Sequence, residues 1–204
     1  MKRVFSTLAL LLCLSVMSPV AHADDPNYRS MSLPELTQRA EEGDAEAQTN
    51  LGFMYAEGQS VPQDFQEAAR WWRKAADKGH VAAQFSLGSM YDNGEGVGQD
   101  LRQAVHWYHK AAGQGFAPAL FNLGNMYENG EGVPQDIVLA YAFLSLAAAG
   151  GNNDAVVARD IVAERMSSAQ IEEGKAIVSQ WRIGKSLPTN SKTGRMNLSQ
   201  KRAK

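Results

Sequence analysis

Apolar residues recur along the middle of the chain at the spacing of α-helices. In residues 45–58, Ala47, Leu51, Met54 and Tyr55 lie three or four positions apart, which places them on one face of a helix. A second set with the same spacing follows at Phe65, Ala68, Ala69, Trp72, Ala75 and Ala76. The pattern predicts two amphipathic helices, called helix A and helix B below, joined by a short connection.

This two-helix pattern occurs three times with a period of 36 residues. Residues 45–80, 81–116 and 117–152 align without a gap, and thirteen aligned positions are identical in all three units. One of these positions is a glycine inside helix A, where glycine costs about 1 kcal/mol relative to alanine. The glycine is therefore interpreted as a point of close approach by a neighbouring helix. Such a unit buries its apolar face only against its neighbours, so a stack of units is predicted.

The connection between the helices contains a glycine-rich phrase: YAEGQSVPQD, YDNGEGVGQD and YENGEGVPQD. Its first glycine suits the left-handed end of helix A, and its final aspartate suits the N-terminal cap of helix B. The acidic residues are in the wrong order for a calcium loop, and neither a strand nor a lysine accompanies the glycines as in a phosphate loop. The phrase is interpreted as structural.

Atypical helices are predicted at both ends of the stack. Ser32 and Glu35 resemble a capping box that opens a helix, and this helix aligns with helix B of the next unit. Two helices over 154–165 and 167–182 form a diverged C-terminal helix pair (153–183), with Ser167 and Gln170 as a capping box. One all-α solenoid is thus predicted over residues 31–183.

The N-terminus has the layout of a secretory signal peptide. Residues 1–23 contain a basic start, an apolar run from Val4 to Val16 and an Ala-x-Ala site at 21–23. A periplasmic or secreted protein that begins near Asp24 is therefore expected. Cys13 is the single cysteine of the chain, so the mature form would lack disulfides, thiolate nucleophiles and cysteine-based metal sites.

Charge is distributed unevenly between the body and the C-terminal tail. Residues 24–183 hold all 22 acidic residues, whereas 185–204 hold six basic residues and no acidic one. The tail, 184–204, is polar and without aromatic residues, so disorder is expected. Its cations suit weak contact with anionic envelope polymers or a membrane.

The repeated columns resemble a known family. The text A-x-x-x-L-G-x-M-Y-x-x-G-x-x-V-x-Q-D, followed by A-x-x-W-[WY]-x-K-A-A-x-x-G, is similar to Sel1-like repeats, relatives of tetratricopeptide repeats. The third unit departs from this text at Leu144-Ser145-Leu146. The resemblance implies a right-handed α/α superhelical solenoid that binds other macromolecules, and its exported members act in the cell envelope or on a host.

The sequence predicts no catalytic, cofactor-binding or metal-binding residue. His106 and His109 share a helix face, but they align with Arg70 and Arg73 of the first unit and are expected on the surface. The alternative to a scaffold is an envelope enzyme, β-lactamase-like or acting on peptidoglycan. It is suggested by cysteine-rich exported relatives, whose cysteines this chain lacks.

A partner-binding surface is predicted where the units differ from one another. In tetratricopeptide-like stacks, one stripe of the A helices lines the concave face, and an extended or helical protein segment would bind there. A monomer with a protein partner and no nucleic-acid partner is expected. An open alternative is that Phe85 and Phe121 belong to the core between units. The predicted stripe consists of Thr49, Phe53, Glu57, Phe85, Ser89, Asp92, Phe121, Asn125 and Glu128.

Overall fold

The computed structural model describes Tyr28 and residues 31–192, so the predicted signal peptide and residues 193–204 lie outside the described residues. This part of the chain contains nine α-helices and no strand, and the predicted all-α repeat solenoid is confirmed. None of these helices is long and apolar enough to cross a membrane. The helices are α1 Leu33–Glu42, α2 Ala45–Glu57, α3 Phe65–Asp77, α4 Val81–Asn93, α5 Leu101–Gly113, α6 Ala117–Asn129, α7 Ile137–Ala149, α8 Asn153–Glu164 and α9 Ser168–Gln180.

The three repeats stack in chain order. Helices α2, α4 and α6 are the A helices, and each packs along its own B helix, α3, α5 or α7. Each B helix packs in turn against the A helix of the next repeat, and α1 packs on α2 as an unpaired B helix would. Ser32 precedes α1 as predicted, but its side chain makes no capping hydrogen bond.

The glycine inside each A helix lies against a large side chain of the paired B helix. A Cβ atom added at Gly52 would lie 2.5 Å from the Trp72 ring, and one at Gly88 would lie 2.7 Å from Tyr108. At Gly124 the corresponding neighbour is Leu144, at 2.6 Å. These separations are too short for a real carbon atom, so glycine is required where the two helices meet.

The glutamine and aspartate of the repeated phrase close the connection between the helices. In repeat 2, the Gln99 side chain donates to the Asp92 carbonyl at 2.8 Å, and the Asp100 amide donates to the Tyr91 carbonyl at 2.9 Å. Asp100 also caps α5, as predicted, by accepting from the amides of Arg102 and Gln103. Repeats 1 and 3 make the same bonds, which explains why these positions are identical in all three.

A second glycine in the phrase fits the connection against the preceding repeat. Gly96 and Gly132 have positive φ angles, and a Cβ at either would lie within 2.4 Å of a backbone oxygen of the preceding B helix. Repeat 1 has Ser60 at this position, also with positive φ. The strict requirement for glycine thus begins where a preceding full repeat supplies that backbone.

The last two helices do not form a repeat of the same kind. Helices α8 and α9 both pack mainly against α7, whereas the two helices of each full repeat pack chiefly against each other. Gly174 of α9 lies close to Tyr141 of α7, where an added Cβ would be 2.6 Å from the ring. The predicted capping box of Ser167 and Gln170 is present at the start of α9.

Helix α7 differs from the other B helices on its outer face. It contains no charged residue, and eight of its 13 residues are buried, so neighbouring segments must cover most of its surface. Three positions along this face are polar and exposed on α3 and α5 but apolar and buried on α7. They are Gln66, Arg70 and Lys74 on α3; Arg102, His106 and Lys110 on α5; and Val138, Ala142 and Leu146 on α7.

Part of the segment expected to be disordered packs against the third repeat. Residues 184–192 follow α9, and within them Leu187 and Ser191 are buried. The physical reason is that Leu187 joins the core cluster of repeats 2 and 3, and Ser191 bonds to Asp136 at the start of α7. The expectation of disorder came from the composition of the tail alone, which contains no information about its binding surface.

His109, expected on the surface, is instead largely buried between repeats 2 and 3. Its ring packs edge-on against Tyr127 and Phe143, and its Nε2 atom lies 3.2 Å from the Tyr127 hydroxyl. Burial, and secondarily repulsion from His106, lowers the pKa of His109 to about 4. His106 is exposed as expected.

We expect Gly88→Ala to destabilise the protein by about 1–2 kcal/mol, because overpacking against the buried Tyr108 ring outweighs the better helix propensity of alanine. The matched control is Gly98→Ala, since a Cβ at Gly98 meets no atom within 4 Å. Prolines stand at this position in the other repeats, so Gly98→Ala should be neutral or slightly stabilising. Urea unfolding measures both, and equal stability of the two variants would contradict this account.

The buried His109 should make the protein less stable in acid. Its pKa in the folded protein lies below the ordinary value of 6.5, so the unfolded chain takes up a proton first as the pH falls. The free energy of unfolding should therefore drop by on the order of 3 kcal/mol between about pH 7 and about pH 4 through this group. The His109→Gln variant should lose most of this contribution, whereas the exposed-site variant His106→Gln should keep it.

Candidate functional site

The solvent-facing stripe of the A helices passes through three sets of equivalent positions. Their spacing of three and four residues places them on one face of each helix. Apart from Ser89, which is buried, these side chains are half-buried or exposed. We call this surface the A face, and it consists of Asn50, Ser86 and Asn122; Phe53, Ser89 and Asn125; and Glu57, Asn93 and Asn129.

One predicted set, Thr49, Phe85 and Phe121, lies toward the core between repeats. Thr49 is 2% exposed and contacts His80, the residue that precedes α4. Phe85 packs against Phe116, the equivalent residue before α6, with ring centroids 5.1 Å apart. Phe121 is half-buried beside the same core cluster. For Phe85, the alternative of a core residue is therefore the one that the packing favours.

The other predicted residues lie on the A face or at its edge. Phe53 is half-buried and packs edge-on against Trp72, while Glu57 is exposed. Asn125 is half-buried on the A face. The prediction did not include Asn50, Ser86 and Asn122. Each of them directly follows a predicted residue, so a small rotation of the predicted stripe around the helix would have included them.

The two remaining predicted carboxylates are partly enclosed at the edge of the A face. Asp92 accepts a hydrogen bond from the Tyr108 hydroxyl at 3.4 Å, and Glu128 forms an ion pair with Arg165 at 2.5 Å. Burial is the main cause that raises the pKa of Asp92 above its usual value, and Glu131 raises it further. A cation placed nearby would favour the charged form of this carboxyl.

Charge is segregated between the two sides of the repeats. The three A helices contain no Lys or Arg, and neither do the connections that follow them. Besides the capping aspartates Asp64, Asp100 and Asp136, their carboxylates are Glu46, Glu57, Asp92, Glu95, Glu128 and Glu131. All Lys and Arg residues of the repeats lie on the B helices or immediately after them, as do Lys74 and Lys110, which stand 4.0 and 4.1 Å above the rings of Trp71 and Trp107.

Thr49, His80 and Glu46 form an arrangement like that of a hydrolytic triad, which the sequence did not reveal. The His80 ring bridges the Thr49 hydroxyl oxygen at 2.9 Å and the Glu46 carboxylate at 2.8 Å. However, the Thr49 hydroxyl donates its proton to the Ala45 carbonyl, and the side chain is almost fully buried. This geometry suits a brace between repeats 1 and 2, since a nucleophile needs an accessible oxygen and a free proton path.

The described residues hold no group of three or more His, Asp, Glu or Cys side chains placed to bind a metal ion. The two histidines of α5 differ in environment. His106 is exposed, whereas the His109 ring packs against aromatic rings. The A face therefore remains the candidate site, with contact groups that are amide, carboxylate and aromatic.

Comparison with known proteins matches the same three units. The family model described as Sel1 repeat matches residues 45–80, 81–116 and 117–152, which together cover more than half of the chain. A crystal structure of a Sel1 repeat protein from Oxalobacter formigenes is similar, with 41% sequence identity and a TM-score of 0.59. The match covers 63% of this chain and 96% of that one.

Two further relatives come from Escherichia coli. One is the protective antigen c5321 of uropathogenic strains, whose crystal structure displays an SLR fold. It is 32% identical, with a TM-score of 0.67, and the match covers 82% of this chain and 35% of that chain. The secretory immunoglobulin A-binding protein EsiB of E. coli O6:H1 is 41% identical over 65 residues, or 32% of this chain. That match spans only 13% of EsiB, so this chain covers a small part of its length.

The repeat boundaries, the packing glycines and the family match agree with one another. The chain belongs to the Sel1-repeat family.

Proposed function

We propose that this protein is an exported, non-catalytic scaffold that binds a protein partner on its A face. Sel1-repeat proteins are generally protein-interaction scaffolds, and EsiB is named for binding a protein, secretory immunoglobulin A. The single observation that carries the proposal is the charge segregation of the repeats, in which the A helices and the connections after them contain carboxylates and no Lys or Arg.

The partner of the A face is a segment that carries Lys or Arg beside apolar groups. Half-buried Phe53 offers an aromatic contact near the exposed carboxylate of Glu57, and Asn93 and Asn129 offer amides for hydrogen bonds. Complementary charge would speed association and disfavour acidic competitors. The enclosed carboxyl of Asp92, whose pKa is raised by burial, would also gain from a nearby cation.

The non-catalytic part of the proposal is supported by the geometry at Thr49. The one triad-like arrangement found among the described residues keeps its hydroxyl buried and bonded to the backbone. Turnover of a β-lactam or of peptidoglycan by the purified protein would contradict this part and would favour the alternative of an envelope enzyme.

Positive charge added to the A face should abolish partner capture. Residues 24–204 would be immobilised and exposed to an extract of the cell envelope, beside a variant with Glu57→Arg, Asn93→Arg and Asn125→Arg. These side chains are half-buried or exposed, so the fold should survive, and circular dichroism checks this. The proteins captured by the natural chain should be lost with the variant, because each new cation repels a basic segment.

A matched variant on the opposite side is the control for this experiment. Gln66→Arg and Gln103→Arg add cations at exposed positions of the B helices, and Glu67→Arg reverses a carboxylate there. This variant should capture the same proteins as the natural chain. Capture that survives the A-face changes and fails with the B-helix changes would contradict the proposed site.

Export predicts a defined mature N-terminus. When the whole chain is produced in a Gram-negative bacterium, cleavage after Ala23 should leave Asp24 as the first residue, and the protein should appear outside the cytoplasm. N-terminal sequencing of the fractionated protein measures this. An intact leader on protein that stays in the cytoplasm would contradict export.

A further inference from the structure

Residues 184–191, called the strap below, run from the end of α5 to the start of α7. At one end, the Gly184 amide donates to the Gly113 carbonyl at the end of α5, at 2.8 Å. At the other end, Ser191 reaches Asp136 at the start of α7. A chain of eight residues reaches at most roughly 25 Å, and a 13-residue helix is about 20 Å long, so the strap is long enough to pass from one end of a B helix to the other.

Asp136 recognises the strap through its carboxylate. One oxygen, Oδ1, accepts from the amides of Val138 and Leu139, which caps α7, and also from the Ser191 hydroxyl at 2.9 Å. The other oxygen, Oδ2, accepts from the Ser191 amide at 2.8 Å. Both residues are buried, at 7% and 2% exposure. The equivalent aspartates of repeats 1 and 2 make the same caps but are exposed.

Two further contacts hold the strap between these ends, and a third lies just beyond it. Leu187 is buried against the core cluster that includes α7. The Tyr127 hydroxyl donates to the Thr189 carbonyl at 3.4 Å. Beyond Ser191, the Lys192 amide donates to the Glu173 carboxylate of α9 at 2.6 Å. The polar contacts use main-chain groups or a hydroxyl, and these are the contacts by which an extended peptide is bound.

The connection to α9 allows the strap to leave without disrupting a helix. Arg182, Ile183 and Lys185 are exposed, and Ile183 keeps 69% of its surface accessible. Three outer positions that are polar and exposed on α3 and α5 are apolar and buried on α7, so the third repeat has an apolar surface that the first two lack.

We propose that the surface of repeat 3 around Asp136 and Tyr127 is a recognition site for an extended peptide segment, and that the strap is its built-in occupant. A competing ligand is a protein segment with a leucine followed four residues later by a serine or threonine, as in Leu187 and Ser191. This site is separate from the A face, and it would allow a second partner to bind by displacing the strap. The tethered strap competes at a high effective concentration, so only such a matched segment replaces it.

The test uses the full mature chain with a weakened strap. Leu187→Lys and Ser191→Ala remove the apolar anchor and the hydroxyl of the strap, and leave Asp136 and α7 unchanged. A fluorescent synthetic peptide with the sequence of residues 184–192 is then titrated into this variant and into the natural chain. Saturable binding to the variant, at least ten-fold tighter than to the natural chain, is expected because the natural site is occupied in cis.

Two controls separate recognition from nonspecific binding. A peptide that itself carries Leu187→Lys and Ser191→Ala should not bind the variant. A Thr189→Ala chain keeps the carbonyl that Tyr127 contacts and changes an exposed side chain, so it should behave as the natural chain does. Absence of peptide binding to the folded variant, or equal binding of both peptides, would overturn the proposal.

Hydrogen exchange of the natural chain tests the same site if the variant fails to fold. The amides of Gly184, Ser191 and Lys192 should exchange through a local opening, faster than the amides of α7, which exchange with global unfolding. Exchange of the strap and α7 amides at one common rate would show that the strap never leaves separately, and this would overturn the proposal.

Discussion

The close approach of helix A to helix B at one shared glycine is the contact on which this structure depends. A side chain as small as a methyl group at Gly52, Gly88 or Gly124 would overlap the partner helix, so the spacing inside every repeat is set at this point. Because the spacing is the same three times, the Gln-Asp connection closes with the same hydrogen bonds three times. The repeats then stack with their A helices aligned, which gathers the carboxylates on one side and the Lys and Arg residues on the other.

The stack of repeats ends where two successive helices no longer pack closely against each other. Helices α8 and α9 lack the mutual packing of a repeat and gather around α7 instead. The cost of ending a solenoid is an apolar surface without a neighbour. Here α8 and α9 pack against the last B helix and Leu187 of the strap joins the core, and this B helix is correspondingly apolar at positions that its counterparts expose.

The sequence predicted the helices, their caps and their order because these follow from a local period of 3.6 and a repeat of 36 residues. The sequence was less informative about which residues from different helices pack against each other. Thr49 and Phe85 were assigned to the concave stripe, but the last residue of the same repeat, which precedes the next A helix, packs on each of them. His109 occupies the same column as Arg73 and is half-buried as Arg73 is, but its ring packs against Tyr127 and Phe143, and burial lowers its pKa. The strap was hidden since its binding surface lies some 50 residues earlier in the chain.

The central claim, that the A face and the carboxylates at its edge bind a basic protein segment, is tested most directly by mapping a captured partner on the isotope-labelled protein by NMR. The account predicts that the amide shifts change along α2, α4 and α6 and that added salt reduces them. Shifts confined to the exposed sides of α3 and α5, or shifts that salt leaves unchanged, would contradict it.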